Sequence, residues 1–541
     1  MITGAPSTIR AEIPDELQGP VAERAAEAGR GEVAQRVWRH DATLWGGPGI
    51  PEIENRLEWL TVGETMLEHA SELAAFAEQV RADGFTDAVL LGMGGSSLGP
   101  EVLRRSFGEV PGGLRLQVLD STHPDEINKV QDSLDLEKTL FIVSSKSGGT
   151  IETLSQYKHF KTLVEPRQFV VVTDPGSPLE RLAEQDGLRH AFLNPPDIGG
   201  RYSVLSYFGL VPAAVMGVDV EALLDSAGEA ERNCVQNSPE SNAGLWLGAA
   251  IGELARHARD KLTFFVSPPI ESFGLWVEQL VAESTGKRGR GILPVADEPL
   301  GDPEVYGSDR VFAYLRNGDQ PEERLDAAVK QLAAAGHPTI TLDTSGPVDL
   351  GRIFFLSEFA VAVSGWVLEI NPFDQPNVQE AKDKTNEVLA SGSIPEIVPA
   401  GDEQLRALLA DARPPHYVAV LGYLPYSEQT DQAIAELRTA IRAATGVAVT
   451  FGYGPRFQHS TGQEHKGGAP NGRFLQLVND PVSDIEIPGE SYSFAKLIAA
   501  QSAGDLQTLR GHGLPAERVK LDGDPAEAIR ALTKRISELL G

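Results

Sequence analysis

The sequence predicts an α/β protein built on doubly wound parallel sheets. From Asp87 onward, short apolar runs alternate with helical stretches. Residues 88–92, 116–119, 140–143 and 169–172 are rich in Val, Leu, Ile and Phe and end in Gly, Ser, Thr or Asp. Such runs are the pattern of strands buried on both faces and joined by helical crossovers. The alternation returns at 262–266, 311–315 and 339–342, and a third time at 417–421, 447–451 and 474–477. The three sets share texture but no strict period, which excludes a solenoid.

Taken in order, residues 1–80 read as a helical lead-in, with Ala, Glu and Leu dominant and turns at Gly46, Gly47 and Pro51. Residues 81–258 form a first α/β domain that ends in a long helical block. Residues 259–385 form a second, closing on a helix near 354–366. Gly392, Pro395, Pro399, Gly401 and Pro414 mark 386–414 as a linker with a short helical piece. Residues 415–541 make a third α/β region. A chain of 541 residues is long enough for two to four such units.

A net charge of −30 excludes a broad basic face for nucleic acid. The acidity favours solubility, and any anionic substrate then requires a local positive pocket. A single cysteine, Cys234, rules out an intrachain disulfide and a thiolate zinc site, and it reads as structural filler. Residues 1–12 hold no apolar signal core, and no apolar run approaches the roughly 18 residues of a membrane span. The expectation is a soluble, cytoplasmic protein with no membrane partner.

Two loops suit an anion. Gly92, Gly94, Gly95, Ser96 and Ser97 follow the first strand and open a helix, so backbone amides and hydroxyls converge at a helix N-terminus. The same residues also suit a tight turn capped by serines. Ser145, Lys146, Ser147, Thr150 and Thr153, with Gly148 and Gly149, follow the third strand and form a denser nest of donors. Both loops lie at the carboxyl ends of strands, where open α/β sheets bind ligands.

Acid–base candidates lie further on. Gln279 and Glu283 are four apart on a helix that ends at Gly286, so they share a face. The negative end of the helix dipole favours the proton on Glu283, which suits a general base. A solvated surface carboxylate is the bland reading. Arg201, after Gly199 and Gly200, suits an oxyanion, or a surface ion pair. Lys382 follows a turn framed by Pro372 and Pro376. His459 and His465 lie in a Ser/Gly/Gln-rich block whose six-residue spacing fits no standard metal motif, whereas one His beside Ser and Gln suits proton transfer.

Together these blocks resemble the phosphoglucose isomerase family, in which two sugar-isomerase (SIS) domains bind a sugar phosphate between them. Residues 92–100, 145–153, 199–203, 283–287 and 373–382 match its blocks in order. The likeness is strongest to the isomerase half of bacterial fused transaldolase–isomerase proteins, which residues 38–45 also resemble, with no counterpart here of the transaldolase half. The resemblance implies two SIS-type domains and reversible isomerisation of glucose 6-phosphate and fructose 6-phosphate through a cis-enediolate, without metal or organic cofactor. It places Gly95, Ser96, Ser145, Lys146, Ser147, Thr150 and Thr153 at the phosphate, and Gln279 at the sugar. Glu283 becomes the base, Arg201 the enediolate cation, and Lys382 a helper in ring opening.

One departure stands out. The family's ring-opening His precedes the block that contains Lys382. Here only His337 lies between Glu283 and Phe373, and the matching block is at 459–463 in the third region. His459 is the expected ring-opening residue and His465 its rival. In the family that His comes from the partner subunit, so the extra region is expected to supply it in cis, leaving homodimer and monomer both open. A phosphoglucose/phosphomannose isomerase and a non-catalytic sugar-phosphate sensor are the alternatives.

Overall fold

The apolar runs are strands of three mostly parallel sheets. The computed structural model describes residues 5–541, so the reading of the N-terminus falls in part on residues 1–4, outside the described ones. Strand β1 (Ile9–Glu12) precedes the lead-in helices Asp15–Arg30 and Val62–Ala82. It alternates buried and exposed residues over only four positions, too few to show a period in a helix-rich stretch.

The first sheet holds β2 (Asp87–Leu91), β3 (Arg115–Leu119), β4 (Thr139–Ser144), β5 (Phe169–Thr173) and β6 (His190–Leu193), in the order β3-β2-β4-β5-β6, all parallel. β2, β4 and β5 are buried throughout, hence their unbroken apolar runs. The order reverses between β2 and β4. That switch point opens a crevice beyond their carboxyl ends, where the two anion loops lie.

The second sheet holds β7 (Lys261–Val266), β8 (Leu293–Val295), β9 (Arg310–Asn317) and β10 (Thr339–Thr344), in the order β1-β10-β9-β7-β8, with β1 antiparallel at its edge. The helix Phe273–Thr285 connects β7 to β8. The apolar stretch Pro347–Leu368, with mean hydropathy 1.4, reaches the length of a membrane span, which corrects the expectation that none does. It is mostly buried inside the molecule, as befits a core helix apolar on all sides. Gly248 lets the helix Ala243–Arg256 press against it, since a Cβ there would lie 2.2 Å from the Ala360 carbonyl oxygen.

The third sheet holds β11 (Tyr417–Tyr423), β12 (Ala448–Tyr453), β13 (Gly472–Asn479) and β14 (Ala516–Leu521), in the parallel order β12-β11-β13-β14. It has its own core of Val418, Val420, Leu437, Leu475 and Ile529, yet it is fastened to both other sheets. Arg456 makes a bidentate pair with Asp120 after β3, at 2.7 and 2.9 Å. Arg438 donates to the carbonyls of Ala296 and Asp297 after β8, both at 2.8 Å. Ile487, Phe494 and Leu497 pack among the apolar residues of the first sheet. The stretch 386–414 takes in the end of the helix Val378–Ser391 and the short helix Asp402–Leu409.

Candidate active site

The loop after β2 is held between two others because it lacks side chains. A Cβ on Gly95 would lie 2.0 Å from the Gly200 carbonyl oxygen, and one on Gly94, at φ +56°, would lie 2.8 Å from that of His459. After β4, the Ser145 and Thr150 hydroxyls are 2.9 Å apart at the start of the helix Ile151–Phe160. Ser147 and Thr150 line a cavity of about 510 Å³ together with Lys382, His459 and Tyr492. Ser96 and Ser145 are buried close by in the two loops. Lys146 is paired with Asp174 and donates to the Pro196 carbonyl at 2.9 Å. Thr153 is fully buried, and its hydroxyl has no hydrogen-bond partner among the described residues.

The helix Phe273–Thr285 is buried along the face that carries Gln279 and Glu283. The Gln279 amide donates to Glu283 Oε2 at 3.1 Å and to the His459 carbonyl at 2.9 Å. Arg201 stands on the short turn Gly200–Tyr202, with its guanidinium 3.6 Å from Glu283 Oε2. It is 2% exposed, which excludes a surface ion pair. Its donors reach Ser284 Oγ (2.8 Å), Gln375 Oε1 (2.7 Å) and the carbonyls of Pro372 (2.7 Å) and Asp374 (3.1 Å). Five donors in a rigid fork can fix a turn and still present charge to a neighbour. Lys287 grips the same turn, donating to the Asn371 carbonyl at 2.6 Å and lying 2.8 Å from Asp374 Oδ1. Burial, then the nearby Arg201 charge, pushes the Lys287 ammonium down to about 7.

His459 joins the two halves. Its Nε2 lies 2.9 Å from Glu152 Oε1, and Gln501 donates to the same oxygen at 2.7 Å. Thr122 in turn donates to Gln501 Oε1 at 2.7 Å. Burial alone would raise the Glu152 carboxyl, but the His459 charge and hydrogen bond, with a smaller effect of Lys382, hold it below the usual range. A carboxylate so placed fixes the ring's orientation. His465 is fully enclosed beside Tyr417, Phe457 and Phe474, where burial and then the Lys466 charge push its imidazole down to about 3. The structure thus brings His459, not His465, to Gln279 and Glu152, within one chain.

The phosphoglucose isomerase family model matches residues 65–291. A glucose-6-phosphate isomerase of Rubrobacter xylanophilus is 33% identical over 372 residues, covering 58% of this chain and 85% of that one. The chain belongs to the phosphoglucose isomerase family. A glucose-6-phosphate isomerase of Thermus thermophilus is 32% identical over 353 residues, covering 56% and 84%. Among solved structures, the hypothetical protein TT0462, also from Thermus thermophilus, superposes with a TM-score of 0.61 at 28% identity, over 71% of this chain and 100% of that one. A glucose-6-phosphate isomerase of Chlamydia trachomatis gives 0.58 at 20% identity, over 70% and 85%, a likeness of fold. The phosphoglucose isomerase match includes both anion loops, Arg201, Gln279 and Glu283, and ends before Lys382 and His459.

Glu152, Gln501 and Lys287 escape a reading of motifs. Glu152 carried one signal: it is a carboxylate inside a loop suited to an anion, a placement that calls for a cationic partner. Lys287 closes the 283–287 block without a role to be read there, and Gln501 carries no signal, since their contacts are remote in sequence.

Proposed function

We propose that this chain interconverts glucose 6-phosphate and fructose 6-phosphate through a cis-enediolate. The observation that carries the reading is Glu283 between the Gln279 amide and the buried Arg201 guanidinium, with a carboxylate-backed His459 on the far side of Gln279. In the direction of the ketose, His459 and Lys382 assist ring opening by moving a proton between the anomeric hydroxyl and the ring oxygen. Glu283 takes the C2 proton, and the C–H electrons form the C1=C2 bond while charge moves to the former carbonyl oxygen. Arg201 stabilises that charge without a proton transfer of its own. A proton then passes from O2 to O1, Glu283 returns its proton to C1, and C2 becomes the carbonyl.

Ser96, Ser145, Ser147, Thr150 and Thr153 hold the phosphate, helped by the close approach at Gly95 and the free amides of the helix that starts at Ile151. Lys146 would exchange Asp174 for a phosphate oxygen. This supplies the local positive site that an acidic protein needs for a dianion.

The test is a coupled assay of glucose 6-phosphate formed from fructose 6-phosphate. Wild type should turn over, and Glu283→Gln should lose about 10²–10⁴-fold in kcat, the range of a general base. Folded wild type that binds the sugar phosphate without turnover would refute the isomerase and leave a sensor. Turnover of mannose 6-phosphate would extend the specificity at C2.

A further inference from the structure

Gln463 is fully buried at the second position of the helix Gly462–Gly467, four residues beyond His459. Its Nε2 donates to the Gly286 carbonyl at 2.8 Å and to Asn377 Oδ1 at 2.9 Å, and its Oε1 accepts from the Asn377 backbone N–H at 2.9 Å. Both partners sit at helix ends. Gly286 is the C-cap of the helix that carries Glu283, and Asn377 is the N-cap of the helix that carries Lys382. Helix ends leave backbone groups unpaired, and one amide here serves two of them.

The joint leaves no slack. A Cβ on Gly467 would lie 2.5 Å from Gln463 Nε2 and 2.6 Å from both Asn377 Oδ1 and the Gly286 carbonyl oxygen. A Cβ on Gly286 would lie 2.3 Å from Glu464 Cα. The three segments that carry the base, the lysine and the histidine therefore meet on one side chain, although Gln279 on the first and His459 on the last are 180 residues apart in sequence.

Resting on the isomerase reading above, we infer that Gln463 is a positioning residue that sets Glu283, Lys382 and His459 in register with one another. It touches no substrate. Its chemistry suits this role, because two donors and an acceptor match a carbonyl, an amide oxygen and an N–H. Neither a carboxylate nor an apolar side chain reproduces that set.

The test is Gln463→Glu. Its first oxygen can still accept from the Asn377 N–H, and the Asn377 amide can turn to donate to the second. The buried bond to the Gly286 carbonyl is lost, with an oxygen facing that carbonyl instead, and the turned Asn377 amide also gives up its exposed bond to Glu380. A base displaced by a fraction of an ångström should lower kcat by about 10–100-fold with KM changed less than about 2-fold. The deuterium isotope effect on kcat with C2-deuterated glucose 6-phosphate should rise, because C2 proton transfer becomes slower relative to the other steps. A merely structural role would lower the active fraction and leave the isotope effect alone. If Gln463→Glu does not fold, Gln463→Met, of similar volume, should give the same two changes. The inference is overturned if the folded variants keep wild-type kcat, or if kcat falls only with the folded fraction at an unchanged isotope effect. Inactive wild type would overturn the isomerase reading as well; an active wild type with either outcome overturns the role of Gln463 alone.

Discussion

Glu152 sits in the first turn of the helix Ile151–Phe160, just after the loop furnished for an anion, and it is buried. An unpaired carboxylate there would be costly, so its pairing with His459 and Gln501 is what makes the position tenable. Glu152→Gln keeps the shape and removes the charge. It should slow turnover of the cyclic sugar about 10–100-fold, as expected for weakened acid–base help, and spare an open-chain substrate. Steady-state kinetics on the two substrates checks this, and equal losses on both would detach Glu152 from ring opening. At this scale residue type and spacing marked out Glu283, Gln279, Arg201 and the hydroxyl loops, and the fold brings Glu283, Gln279 and Arg201 together. The parts played by Gln463 and Gln501 were not legible, since an amide suits almost any surface and only the fold reveals its partners.

Strands and helices were legible in proportion to their burial. β2, β4, β5 and β11 are buried at every position and read as apolar runs. β8 has three residues and β6 is partly exposed, so neither carries a pattern. Loop contacts follow from glycine. Gly95→Ala would force a Cβ against the Gly200 carbonyl, and neither backbone can yield as a flexible side chain would. It should raise KM for the sugar phosphate and lower kcat/KM by at least about 10-fold, which a saturation curve would read. Helix packing also stores a pH dependence. Glu231 on Val220–Cys234 and Glu358 on Leu350–Leu368 are buried, and carboxylate oxygens of both lack hydrogen-bond partners among the described residues. Burial raises Glu231 from 4.5 to about 7 and Glu358 well above its ordinary value. Below pH 4.5 both states hold these protons. Above it the unfolded chain releases them while the fold retains them, so stability falls as pH rises through about 7. Glu358→Gln should therefore raise Tm relative to wild type more at about pH 8 than at about pH 5; an equal difference at both would remove Glu358 as the cause.

At the scale of the whole molecule, the proposed function makes the third α/β unit part of the site. It is fastened to the first sheet through Arg456 and Asp120 and to the second through Arg438, and it brings His459, Gln463 and Gln501 to groups from both. The sequence pointed to this displacement, since the His block lies after Lys382, but not to the anchors that make it work. Those anchors predict that one chain is competent alone. Mixing Glu283→Gln with His459→Ala protein, after dissociation and reassociation of any dimer, should give no more activity than the two separately. If His459 served a partner's site instead, half of the mixed molecules would be heterodimers with one intact site of two, and about a quarter of wild-type activity would return. The same preparation, measured by sedimentation at assay concentration, would fix whether the active species is a monomer. An active monomer follows from in-chain completion, and activity that vanishes on dilution in step with dissociation would contradict it.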